Sequence, residues 1–329
     1  MRTLAVASMG SHVSTVPPRT ADARFPVEHV APARAGARAS LWLVIACLGA
    51  VYIIWGTTYY ALKVGVQSTG PFFLIGTRFL VAGGLLLAWL LARGQALPGP
   101  REWLNASVPA VLMLVIGMGC TTAAERTVSS GAAVALISVM PLMMAVWSGL
   151  LEKWPGRGEW LAVGAGFIGT LVMITGKDLR ASPGGTALIL IATLAWSLGT
   201  VLSRRLAVPK GAMGFAAEMI VGGVIAMLVS AAFREQWSLP ATADVWWAWS
   251  YLVVFGSLGA FSAYRYLVEN VSPTLASTYA YVNPPVALFV GYWLGNESFS
   301  PNVLLGLPIV LAAVGWHTWT QLRALRSSP

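Results

Sequence analysis

Ser272 to Gly295 reads SPTLASTYAYVNPPVALFVGYWLG. The stretch carries no charged residue and is long enough to cross a bilayer, which takes about 20 residues at ~1.5 Å rise each. Asn283-Pro284-Pro285 falls in its middle. Each proline lacks a backbone N–H and disturbs the turn before it. The carbonyls of Ala280 and Tyr281, four residues back, are therefore predicted to lose their helical donors. In hydrocarbon that loss is expensive unless protein or a watery cavity lies alongside. Tyr279, Tyr281 and Asn283 are the polar groups beside the break. A broken, polar-lined helix at membrane depth is a form that transporter binding sites take. The same residues also read as a kinked packing helix whose neighbours satisfy the backbone.

The rest of the chain sets this helix in context. Of 329 residues, 57% are hydrophobic and only 10% are charged. Mean hydropathy is +0.71. Long apolar runs recur between short polar gaps, the pattern of a polytopic helical membrane protein. The net charge of +9 does not by itself point to nucleic acid, because membrane proteins gather Lys and Arg in cytoplasmic loops. Cys47 and Cys120 both fall in apolar runs without ligand spacing, so no disulfide framework and no metal site is expected.

Residues 1–40 are rich in Ala, Pro, Ser and Arg and lack a helical period, which predicts a disordered cytoplasmic tail. Leu4-Ala5-Val6-Ala7 is too short for the apolar core of a signal peptide, so none is expected. Ten apolar spans follow, at approximately 41–65, 71–92, 104–124, 128–151, 158–176, 184–205, 212–232, 245–268, 272–294 and 302–322. Turn formers such as Gly70-Pro71 and Pro98-Gly99-Pro100 separate them. Counted over the tail, alternate gaps and C-terminus, 14 Lys and Arg fall on one side and 4 on the other, with 3 of the 21 inside spans. The excess puts both termini in the cytoplasm.

The chain also repeats itself. Val128, Ala133 and Pro141 match Val271, Ala276 and Pro284 at one offset, and Val81 and Gly83 match Val221 and Gly223 at nearly the same one. Trp55-Gly56-Thr57 is loosely echoed by Trp196 to Thr200. Two units follow, 41–176 and 184–322, each with five spans. Because five is odd, the second enters the membrane from the opposite face, an inverted repeat of the kind many secondary transporters have. The expected fold class is thus an all-α membrane protein of ten transmembrane helices in two inverted five-helix repeats.

Several of these residues carry a family resemblance. They are Trp55-Gly56-Thr57-Thr58-Tyr59, Thr77-Arg78-Phe79-Leu80, Pro141, Glu152, and Tyr279 to Pro285 with Glu297 downstream. In this order and spacing they resemble the EamA-domain transporters of the drug/metabolite transporter superfamily, and within it the YedA-like bacterial inner-membrane branch. The resemblance covers about residues 41–322. It implies two inverted repeats around a central cavity and efflux of small metabolites, amino acids or drugs.

Arg78 lies about seven residues into span two, roughly 10 Å below the outer face. A charge at that depth is a functional candidate, with a carboxylate as its natural ligand; a salt bridge or snorkelling is the structural alternative. Glu218 is its repeat partner, and Arg265 is a plausible mate for Glu218. Paired, Glu218 is structural and latches a cytoplasmic gate; unpaired in one state, it is a proton-coupling group. Trp55, Thr58 and Tyr59 share span one, and Trp55 is too deep for an interfacial belt. Trp196 is its equivalent in span six. The expected substrate contacts are Trp55, Thr58, Tyr59, Arg78, Trp196, Tyr279, Tyr281 and Asn283. Pro141, Pro284, Glu218 and Arg265 are the expected gating or coupling residues. Lys63 and Glu125 read either as solvated charges or as an outer-gate pair. Ala165 and Gly169 suit close helix packing or a homodimer contact.

Gly176-Lys177-Asp178 lacks the remaining residues of a P-loop, and no zinc-protease or serine-elbow motif appears. The chain is therefore expected to be no enzyme and to need no cofactor or nucleic acid; its partners are a small-molecule substrate and the bilayer. A secondary active exporter working by alternating access is the reading. A facilitative exchanger, an importer and a non-transporting scaffold or sensor are the alternatives.

Overall fold

The computed structural model describes residues 40–128, 133, 136–174, 182–237, 242–295 and 302–327. The expected tail, apart from Ser40, lies outside them. The described residues build helices and no strand. In chain order these are α1 (Leu41–Val66), α2 (Pro71–Ala92), α3 (Pro100–Ala124), α4 (Met140–Leu151), α5 (Arg157–Ile174), α6 (Pro183–Arg205), α7 (Gly211–Ala232), α8 (Ala243–Asn270), α9 (Tyr279–Gly295) and α10 (Asn302–Ser327). A one-turn helix, Pro273–Ala276, precedes α9. Among them α1, α2, α3, α6, α7 and α8 are long and apolar enough to cross a membrane. Leu85, Leu161, Leu228 and Trp247 stand exposed on the outside of the bundle, a surface suited to lipid.

Local chemistry sets the helix starts. Proline opens α2, α3, α6 and the one-turn helix, where its missing N–H costs nothing. Ser182 and Ser272 cap their helices by accepting from Gly185 N at 3.0 Å and Leu275 N at 3.1 Å. The cap of α2 comes from far along the chain. Glu235, just past α7, accepts from the N–H groups of Phe72 and Phe73 at 3.2 and 2.8 Å, placing a carboxylate at the positive end of the helix.

The interruption in the opening stretch lies upstream of where the prolines point. Pro284 and Pro285 sit inside α9, and the break falls at Ser277–Thr278. There the bonds tighten to three-residue spacing, Thr278 N to Leu275 O at 3.2 Å and Ala280 N to Ser277 O at 3.0 Å. Ahead of Pro141 a turn at Ser138–Val139 interrupts the chain in the same way. Two further irregularities match each other: α3 and α8 are π-helical over Ala110–Met118 and Leu252–Gly259. Such wide turns are frequent at functional sites.

Helix contacts come in mirrored pairs. α1 lies against α8 and α9, and α6 against α3 and α4; α2 packs along α7, and α5 along α10. The α2–α7 contact is close enough to join backbones. A Cβ at Gly83 would stand 3.1 Å from Ile220 N, and one at Gly223 would stand 2.9 Å from Leu80 N. Gly169 plays this part for α5, 3.0 Å by the same measure from Val310 N of α10. Small residues let helices without a hydrophobic driving force meet this closely.

The cap on α2 is directly testable. Glu235→Ala removes both bonds and should lower the unfolding free energy by about 1–2 kcal/mol. Equilibrium unfolding in mixed micelles measures it, and unchanged stability would mean that the carboxylate does not hold the helix end.

Candidate functional site

Between these helices lies a cavity of about 60 Å³. At roughly 15 Å³ per molecule it has room for about four waters. α1 contributes Trp55, Thr58, Tyr59 and Leu62, and α2 contributes Arg78. Gly117, Met118 and Thr121 come from α3, and Ala192, Thr193 and Trp196 from α6. Ile137 and Met140 flank the Ser138–Val139 turn, and Tyr279 and Asn283 come from the first turns of α9. Leu62 and Thr121 place the cavity towards the ends where α1 and α3 finish.

Trp55 is the hub of the cavity floor. Its ring lies 4.8 Å from Tyr279, 4.9 Å from Phe261, 5.0 Å from Tyr264 and 5.6 Å from Trp196, mostly edge to face. Its Nε1 donates to Gly256 O at 3.3 Å, within the π-helical part of α8. Trp196 answers it from the other side: a Cβ on Gly117, in the π-helical part of α3, would come within 2.9 Å of its ring. Each tryptophan thus sits against the irregular turn of an opposing helix. Trp196 Nε1 donates to the Tyr264 hydroxyl at 3.3 Å, and that hydroxyl bonds Thr200 Oγ1 at 2.9 Å. With its amide turned to satisfy its neighbours, Asn283 donates to Tyr52 O at 3.1 Å and Tyr279 O at 3.2 Å.

At the opposite end of the bundle two arginines tie four helices. Arg265 Nη1 meets Glu218 Oε1 at 2.7 Å, its Nε meets Glu269 Oε1 at 2.8 Å, and its Nη2 donates to Pro209 O at 3.4 Å. Arg204 Nη1 donates to the carbonyls of Val268 and Val271 at 2.7 and 2.6 Å, while its Nε meets Glu152 at 3.1 Å. Just past α3, burial raises the Glu125 carboxyl well above the usual carboxylate range, and the Lys63 ammonium opposes the shift.

The sequence pattern of the EamA-like transporter family matches residues 40–175 and again residues 183–318. The chain belongs to the EamA-like transporter family. The uncharacterized inner membrane transporter YedA of Escherichia coli K12 is 41% identical over 268 residues, covering 81% of this chain and 88% of its own. The S-adenosylmethionine/S-adenosylhomocysteine transporter of Chlamydia muridarum is 27% identical over 276 residues, covering 77% and 85%. A protein of known crystal structure superimposes with a TM-score of 0.71 at 19% identity, over 85% of this chain and 98% of that one, a likeness of fold. The EamA-like chain is thus a multi-pass membrane transporter of the inner membrane.

In this EamA-like transporter, Trp55, Thr58, Tyr59, Arg78, Trp196, Tyr279 and Asn283 share the cavity wall. Tyr281 points elsewhere. Its hydroxyl donates to Val163 O at 2.8 Å, and its ring packs with Val310 and Val314. Two residues' step from Tyr279 turns it about 200° along the helix, to the side away from the cavity. Pro141 opens α4 beside Met140, Pro284 stands next to Asn283, and Glu218 and Arg265 are the ion pair described above. Sequence reading missed Phe261, Tyr264 and Ser257. Phe261 and Tyr264 are three apart on α8, a spacing that puts both on one face but does not say which helix the face meets.

The ion pair has a measurable signature. Glu218→Gln leaves Arg265 short of a buried partner and should cost about 3–5 kcal/mol, whereas Glu218→Met with Arg265→Met should recover most of it. Unfolding of the wild type and the two variants side by side measures this; a double variant that loses as much as Glu218→Gln would show that the pair does not act as one unit.

Proposed function

We propose that the protein is a secondary active exporter that moves small metabolites out across the inner membrane by alternating access. The observation that carries this is the cavity: walls drawn from both family repeats, with broken helices at its rim and the Arg204 and Arg265 ties at the opposite end. The double family match and the mirrored contacts support ten spans in two inverted five-helix repeats, 41–176 and 184–322, with both termini in the cytoplasm. On that topology the Arg204 and Arg265 ties lie at the cytoplasmic end, so Glu218 and Arg265 form the inner latch and the cavity sits nearer the outer face. Trp55, Thr58, Tyr59, Arg78, Trp196, Tyr279 and Asn283 are the substrate contacts. The interruptions ahead of Pro141 and Pro284 are where α4 and α9 change tilt to expose alternate sides.

Uptake of pooled labelled amino acids and aromatic metabolites into proteoliposomes, with and without an imposed pH gradient, tests the reading. Saturable uptake that responds to the gradient is expected, and Pro141→Ala with Pro284→Ala should change its kinetics. Folded protein that moves no compound overturns the exporter reading, and uptake driven only in the reverse direction marks an importer. Unchanged kinetics in the double variant remove the hinge assignment.

A further inference from the structure

Taking the cavity as the transport site, we infer that its cargo is a small monovalent organic anion, a carboxylate on an aromatic or apolar body, gripped by Arg78. Arg78 is completely buried within the bundle, yet it lines the cavity. Its Nε donates to Ser257 Oγ at 2.7 Å, which fixes the plane of the guanidinium. Nη1 and Nη2 are shut off from water and make no hydrogen bond to the described residues. Gly256 leaves space for them, since a Cβ there would stand 2.9 Å from Nη2. The Phe79 and Phe261 rings lie 5.2 and 5.9 Å from Cζ and lend cation–π attraction. Rings offer no lone pair in the plane of the fork. A carboxylate does, and its two oxygens match two parallel N–H groups.

Charge balance narrows the ligand further. The lining holds Arg78 and no carboxylate. Glu218 is engaged by Arg265 at the other end, and Glu125 lies past α3 outside the lining. A monoanion therefore balances the charge of the lining. An organic cation would put a second positive charge beside the guanidinium in a medium of low dielectric, where like charges repel strongly. A zwitterion would bring its ammonium to rings and hydroxyls, and the lining itself offers no acid to meet it. Trp55, Trp196 and Tyr279 supply flat apolar walls for the body of the anion once the cavity, at about 60 Å³ smaller than the ~150 Å³ that holds a benzene, widens to admit it and bares the Nη groups.

Equilibrium binding to the purified full-length protein, read by tryptophan fluorescence, tests this with benzoate, benzamide, benzylamine and phenylalanine. Benzoate should bind about tenfold to a hundredfold tighter than benzamide or benzylamine, and tighter than phenylalanine. Arg78→Lys should weaken benzoate and keep the ranking; Arg78→Gln should abolish it. Benzamide or benzylamine binding as well as benzoate, a tighter hold on phenylalanine, binding of none of the four, or a folded Arg78→Gln that keeps the preference would each overturn the inference. If Arg78→Gln does not fold, the wild-type ranking and Arg78→Lys decide. Benzoate-selective binding without flux in proteoliposomes would sink the exporter reading alone, and flux without anion preference would sink only this one.

Discussion

Water is absent from the core of a bilayer, so every interruption in a helix there has to be covered by the protein itself. This chain meets that demand with hydroxyls. At the Ser277–Thr278 break, Ser277 Oγ donates to Thr274 O at 2.8 Å and Thr278 Oγ1 to Leu275 O at 2.7 Å, while Tyr52 of α1 bonds Thr278 Oγ1 at 2.6 Å. Thr58, Thr121 and Thr193 bond back to carbonyls three or four residues earlier on helices that line the cavity. In the π-helical part of α8, Trp55 Nε1 donates to Gly256 O and Arg78 Nε to Ser257 Oγ.

Much of this was legible in the sequence. The apolar runs located α1, α2, α3, α6, α7 and α8 to within a few residues, because lipid leaves composition as the dominant signal. α3 starts earlier than its apolar run, at Pro100, since Glu102 reaches back to Gly99 N at 2.8 Å and fixes the first turn. The buried charges and deep aromatics stood out by the same logic, and most of them meet at one cavity.

What was not legible depends on third parties. The prolines promised an interruption at Asn283, but its place is set by where hydroxyls from Ser277, Thr278 and Tyr52 converge. The π-helical turns leave no mark in composition, being a change in hydrogen-bond spacing along an ordinary apolar run. Tyr281 looked equivalent to Tyr279, and only the position of α5 and α10 turns it away. Arg204 entered the charge count as one more loop cation, whereas its guanidinium ties Glu152 to two carbonyls of the α8 end.

The contact between α2 and α7 bears on how such a bundle can move. Gly83 and Gly223 bring the two backbones together, and Gly76 does so again, where a Cβ would lie 3.2 Å from Met227 N. Helices locked backbone to backbone cannot slide without opening a gap on one side and a clash on the other. On the alternating-access reading they form a fulcrum. Arg78 rides on α2 between Gly76 and Gly83, at the part of the lever that travels least. The grip on a ligand would then stay in place while α4 and α9, on the long arms, swing past it, so that access changes sides and affinity need not.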